Sequence, residues 1–171
     1  MNVLRFLHPD CIALDLDLAP TPPGDDESDA QLRRRRERDK ESALERFADL
    51  LDLSGAIANP TKLFKDMRQR ETQGSTAIAP GLAIPHARSM QARRFVIGFV
   101  RATPPVWFDS ADGSDTRLFF LLAAPPYDDA VYLKVLRDFA EMMQNEWVGD
   151  ALIAAKDAHE VMSVLRGYVT K

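Results

Sequence analysis

One cysteine, Cys11, stands in 171 residues, so no disulfide framework can hold this chain and no oxidising compartment is implied. Beside Ile12, that thiol reads as a small buried hydrophobe. No apolar run approaches the length of a membrane span, and Met1–Leu7 is too short for a signal peptide's apolar region. Direct membrane insertion is therefore not expected, and a cytoplasmic location is. Positive charge is not in surplus: 22 Lys and Arg against 26 Asp and Glu leave a net charge of -4. That balance argues against a general nucleic-acid binder. The 3 histidines are far apart, with no second ligand at metal spacing, so neither a metal site nor a cofactor is expected.

What is present is ordinary globular material, 46% hydrophobic and 28% charged, at a length that suits one domain (1–171) with one good core. Ile12–Leu16 reads as a strand. Residues 19–42 break character, with Pro20, Pro22, Pro23 and Gly24, then an acidic run, then Arg33–Arg36. Such a stretch cannot bury enough apolar area to order itself alone. The charged insert at 19–40 is thus either flexible or an extension of the next helix. Its flanking acidic residues make a solvated face a better reading of the arginine run than nucleic-acid binding.

Ala43, Leu44, Phe47, Leu50 and Leu51 recur at helical spacing. Asn59-Pro60 predicts a helix start, with Leu63, Phe64 and Met67 on the buried side and Arg70 at the far end. Phe95–Val100 and Leu118–Ala123 are continuous apolar runs that suit central strands covered on both faces. Asp112-Gly113 signals a hairpin between them. Tyr132, Val135, Leu136, Phe139, Ala140 and Met143 mark an amphipathic helix, and a last one starts near Asp157, burying Val161, Met162 and Leu165. The fold class is α/β: one small mixed central sheet flanked by helices on both faces.

The most informative segment is Gly81-Leu82-Ala83-Ile84-Pro85-His86. Pro80-Gly81 suits a type II turn between two short extended pieces. Pro85 stiffens the chain and removes a donor, which predicts that His86 sits where a strand ends. An imidazole so mounted is neutral near pH 7, keeps one free ring nitrogen, and can be aimed through the other. His8 and His159 read as ordinary surface residues.

With Arg70, Glu71, Gly74, Ser75 and Thr76 upstream, this segment resembles the phosphorylation site of the bacterial phosphotransferase enzyme IIA proteins of the fructose/mannitol/nitrogen-regulatory family. The Leu118–Pro125 strand and the Tyr132–Leu136 helix start extend the resemblance, which covers roughly 3–18 and 41–168. It implies that His86 takes phosphate from an HPr-like phosphocarrier. The phosphate would then pass to a cysteine of a IIB component, or its presence would be read by a regulated target protein; these partners would be met in trans.

Phosphoryl transfer runs through an in-line transition state whose charge spreads over the equatorial oxygens. The site therefore needs a held nucleophile, His86, and a clamp. Arg70 suits the clamp because guanidinium offers a planar fork to phosphate oxygens. Ser75 and Thr76 could donate through hydroxyl or backbone, and Arg88 is either a further cation or simply solvated. Glu71 reads as structural, closing a local hydrogen bond or salt bridge. Many relatives place a second histidine where this chain has Tyr132. A phenol can donate one hydrogen bond to phosphate but cannot become a cation; it also falls on the apolar helix face, so packing is the other reading.

Overall fold

In a computed structural model describing residues 3–169, alternation along two long strands explains the architecture. The strands are β5 (Val96–Val106) and β6 (Thr116–Ala124), antiparallel neighbours. Val96, Val100 and Ala102 of β5, with Phe119, Leu121 and Ala123 of β6, face one core. Ile97 and Phe99, with Leu118, Phe120, Leu122 and Ala124, face another. Strand side chains alternate between faces, so two apolar faces require two covers.

The first cover is α1 (Asp29–Asp52) and α2 (Pro60–Thr72), through Leu44, Phe47, Leu51, Leu63 and Met67. The second is α3 (Asp129–Met142), α4 (Glu146–Ala154) and α5 (Ala158–Val169), through Val135, Phe139, Val148, Leu152, Val161 and Leu165. The remaining strands are β1 (Leu7–Leu16), β2 (Ala77–Ala79), β3 (Leu82–Ala83) and β4 (His86–Arg88). Among the described residues these make one mixed six-stranded sheet in the order β1-β5-β6-β3-β2, with β4 also on β6. This is the α/β arrangement with helices on both faces.

Local signals held where they were strong. Asn59 caps α2 by accepting from Lys62 N at 3.0 Å, with Pro60 at the first helical position. Gly81 has φ +74° between β2 and β3, as the third residue of a type II turn requires. Phe64 is only partly buried, and Met143, the C-cap of α3, packs partly buried against the core that Met142 enters.

Several expectations need correction. β1 begins at Leu7, before Ile12, because it pairs in parallel with β5 as far back as Ile97. It passes so close to β5 that a Cβ on Gly98 would lie 2.9 Å from the Cys11 carbonyl oxygen. Of the two readings left open for the insert, its basic half takes the helix extension: α1 starts at Asp29 behind a Ser28 capping box. Residues 17–28, without helix or strand, fold back on α1. Thr21 bonds Asp39 through backbone (2.9 Å) and hydroxyl (2.6 Å), and Arg35 takes Glu27 and the Thr21 carbonyl. Ordering here comes from Leu18, buried in the first core, and from polar ties to a helix, which an apolar-area argument does not count.

The short helix α4 was not anticipated. Its C-terminal carbonyls are held by Arg101 of β5, which donates to Leu152 (3.2 Å), Ile153 (2.9 Å) and Ala155 (2.6 Å) and pairs with Asp15 at 2.9 Å.

Cys11 is fully buried, and burial foremost, with the Asp10 charge adding, pushes its thiol up to about 11. Thiolate is the reactive form, so the native protein should resist iodoacetamide at pH 8 and take one equivalent only once unfolded. Modification at the same rate in both states would contradict this placement.

Candidate functional site

The site forms where α2, the turn after it and the β3–β4 segment meet. β3 and β4 share one register on β6, Ala83 opposite Phe119 and His86 opposite Leu122. Between them the ladder is interrupted at Ile84-Pro85, where proline has no N–H to give. Its carbonyl still accepts from Leu122 N at 3.0 Å. His86 therefore opens a strand rather than ending one; the break that proline causes falls just before it.

His86 is 8% exposed. Its Nδ1 lies 2.5 Å from the Ile84 carbonyl oxygen, which can only accept. That assigns the ring proton to Nδ1 and leaves a lone pair on Nε2. Arg70 Nε donates to Nε2 at 3.1 Å, which requires the same tautomer, since only an unprotonated Nε2 can accept. Burial holds the His86 pKa below the usual histidine value. The Ile84 bond opposes that shift, the Arg70 charge adds to it, and Glu71 opposes it. The ring is a neutral, aimed nucleophile.

Arg70, at the last turn of α2, also donates Nη1 to the Gly74 carbonyl at 2.9 Å. Glu71 has the structural role read from the sequence. Its carboxylate accepts from Thr76 N at 2.8 Å and Thr76 Oγ1 at 2.7 Å, and pairs with Lys40 Nζ at 2.8 Å. Ser75 Oγ donates to the Phe108 carbonyl at 3.2 Å and accepts from Ala77 N at 3.2 Å. Both hydroxyls expected beside the phosphate thus have other partners here.

Tyr132 of α3 is 8% exposed and lies edge-on to His86, ring centroids 5.7 Å apart. Arg88 places its guanidinium 5.5 Å from the Tyr132 ring centre and pairs with Asp129. Burial pushes the Tyr132 phenol up, against the pull of Arg70 and Arg88. Arg88 is exposed, yet it is stacked and paired rather than merely solvated. His86, Arg70, Tyr132 and Arg88 are brought together. His8 and His159 sit elsewhere, on β1 and α5. Sequence reasoning missed Lys40, whose only signal was its place on an apparently solvated arginine-rich stretch. Among the described residues no group of three or more His, Cys, Asp or Glu could hold a metal ion, and no helix is long and apolar enough to cross a membrane.

Residues 29–168 match the family described as phosphoenolpyruvate-dependent sugar phosphotransferase system, EIIA 2. The chain belongs to that family. The match includes all of the extended helix α1 and leaves residues 3–18 and 19–28 outside it. This EIIA 2 chain is 34% identical over 126 residues to a nitrogen regulatory protein of Bradyrhizobium diazoefficiens, covering 74% of the chain and 81% of that protein. It is 27% identical over 129 residues to the fructose-specific EIIABC component of Bacillus subtilis, 75% of the chain but only 20% of that much longer protein. Among solved structures, nitrogen regulatory protein IIA-Ntr of Neisseria meningitidis superimposes with a TM-score of 0.76 at 25% identity, over 94% of this chain and 97% of the other. The IIA mannitol domain of Escherichia coli shares the fold, with a TM-score of 0.62 at 21% identity, over 74% and 88%.

Proposed function

We propose that this EIIA 2 protein is a cytoplasmic phosphocarrier whose His86 Nε2 accepts a phosphoryl group from the phosphohistidine of an HPr-like carrier. The observation that carries this reading is the pair of bonds on the imidazole, Nδ1 to Ile84 O and Nε2 to Arg70. In the transfer the Nε2 lone pair attacks phosphorus in line, an Nε2–P bond forms, and the donor's N–P bond breaks with its electron pair staying on the donor imidazole. Nδ1–H remains on the Ile84 carbonyl, which supports the positive ring of the product. Arg70 turns its N–H groups from Nε2 to the phosphoryl oxygens, where charge develops. Ser75 and Thr76 could assist once their present bonds rearrange.

Onward transfer is the reverse chemistry, with a IIB cysteine thiolate attacking phosphorus and His86 leaving. A regulatory use, in which a target protein reads the phosphorylated state, is supported by the 34% and 29% identity to two nitrogen regulatory proteins. The test is incubation with phosphoenolpyruvate, enzyme I and HPr, followed by intact-mass spectrometry at alkaline pH. One phosphoryl group is expected, stable in alkali and lost in acid; no mass gain from HPr or its nitrogen-branch counterpart overturns the reading.

Tyr132 and Arg88 close the other side of the phosphoryl group in this reading, Arg88 exchanging Asp129 for a phosphate oxygen. Tyr132→Phe is expected to speed loss of phosphate by the equivalent of about 1.5–3 kcal/mol, one hydrogen bond to a charged group, with melting temperature nearly unchanged. Tyr132→His should raise transfer to a IIB cysteine below pH 7, where imidazole can charge. Wild-type rates in both variants would remove the phenol from the site.

A further inference from the structure

Lys40 and Glu71 form a buried ion pair behind the candidate site, with side chains 12% and 6% exposed and 2.8 Å between Nζ and Oε1. Burying two charges is costly, so such a pair asks for a reason. Glu71 follows Arg70 directly on α2, and its two oxygens take both donors of Thr76. Those bonds fold residues 72–76 back onto the helix end. Within that loop Gly74, at φ +149°, turns its carbonyl to Arg70 Nη1. A chain of contacts therefore runs from Lys40 to Glu71, to the 72–76 loop, to the Gly74 carbonyl, and so to the guanidinium that faces His86.

Lys40 is itself held. Its ammonium lies 4.7 Å from the Phe108 ring centre and 5.8 Å from that of Trp107, and the preceding residue, Asp39, is tied to Thr21. Its charge supplies what the Thr76 donors alone do not, neutralisation of a carboxylate that water scarcely reaches. Without it, Glu71 gains by turning toward solvent, which opens the loop and frees Gly74.

We infer that Lys40, acting through Glu71, is a positioning residue that sets the orientation of Arg70 toward His86. The kinetic part of this inference rests on His86 being the phosphoryl acceptor; the geometric part does not. Lys40→Met keeps the apolar stem over Phe108 and removes the charge. It should slow phosphorylation by HPr at saturating donor by roughly tenfold to a hundredfold, the scale of a misplacement of about an ångström, with KM for the donor unchanged. Lys40→Arg should restore the rate.

By NMR, the Arg70 Nε–H proton should be protected from exchange in the wild-type full chain, exchange-broadened in Lys40→Met, and recovered in Lys40→Arg. A protein that lost only stability would lower its melting temperature and keep that proton. Glu71→Gln, which retains an acceptor for Thr76 but not the ion pair, provides a second route should Lys40→Met fold poorly, and should show the same two losses. Wild-type rate and an intact Arg70 signal in either folded variant overturn the inference. Absence of phosphorylation in the wild type would instead refute the acceptor role of His86, with the Arg70 signal still deciding the positioning.

Discussion

His86→Ala is expected to abolish phosphoryl acceptance outright, while His8→Ala and His159→Ala take up phosphate at the wild-type rate. The effect is complete because a methyl group offers no lone pair, and His86 is the imidazole that Arg70 Nε contacts, His8 and His159 lying on β1 and α5. A label that persists on the alanine variant would move the acceptor elsewhere. The same residue governs the acid side of the pH profile. Its folded pKa is depressed, mainly by burial, so the ring stays neutral where an ordinary histidine near 6.5 would protonate. Acceptance should stay level as pH falls through that range and decline only at the lower folded value, provided the donor's own titration is subtracted. Stability has the matching sign. Below about 6.5 the unfolded chain binds a proton that folded His86 does not, so this contribution is fully present above 6.5 and lost as pH falls toward the folded pKa. Urea midpoints measured against pH should show that loss in the wild type and less of it in His86→Ala.

Arg70→Lys should slow phosphorylation far more than its unchanged charge suggests. Arg70 bonds two acceptors at once, Nε to His86 Nε2 and Nη1 to Gly74 O. One ammonium on a flexible stem cannot hold both directions. Losing such a transition-state contact typically costs about 2.7–4 kcal/mol, roughly a hundredfold to a thousandfold in rate. The fold should survive, since the side chain is only half-buried and lies outside the apolar clusters. Rapid-quench measurement of phosphohistidine formation checks this, with melting temperature as the control. Unchanged kinetics would show that Arg70 does not hold the phosphoryl group.

The features legible in the residues were those decided within a few positions of chain. The Asn59-Pro60 start of α2, the Pro80-Gly81 turn and the two core strands all rest on local capping, turn chemistry and alternation. The combination of Arg70 with the Gly81–His86 run also pointed to the right family, because both are short motifs at fixed spacing. The errors were non-local. The local signals for α4 are slight, an Asn145 cap and the Val148/Leu152 pair, and its end depends on Arg101 from a strand across the core. Residues 19–28 read as unable to order themselves alone, and their order does come from elsewhere: the partners Asp39 and Arg35 lie on a helix that only folding brings back.

At the site itself, the sequence determined which chemistries were available: an imidazole, a guanidinium and a phenol. Only the tertiary structure decided how they are deployed. It put the ring proton on Nδ1 through the Ile84 carbonyl, spent the Thr76 hydroxyl on Glu71, stacked Arg88 on Tyr132, and placed Lys40 against Glu71. Propensity and periodicity act along the chain, whereas hydrogen-bond direction, burial and charge pairing are set between elements distant in sequence, and those relations exist only once the sheet and its two helical covers have assembled.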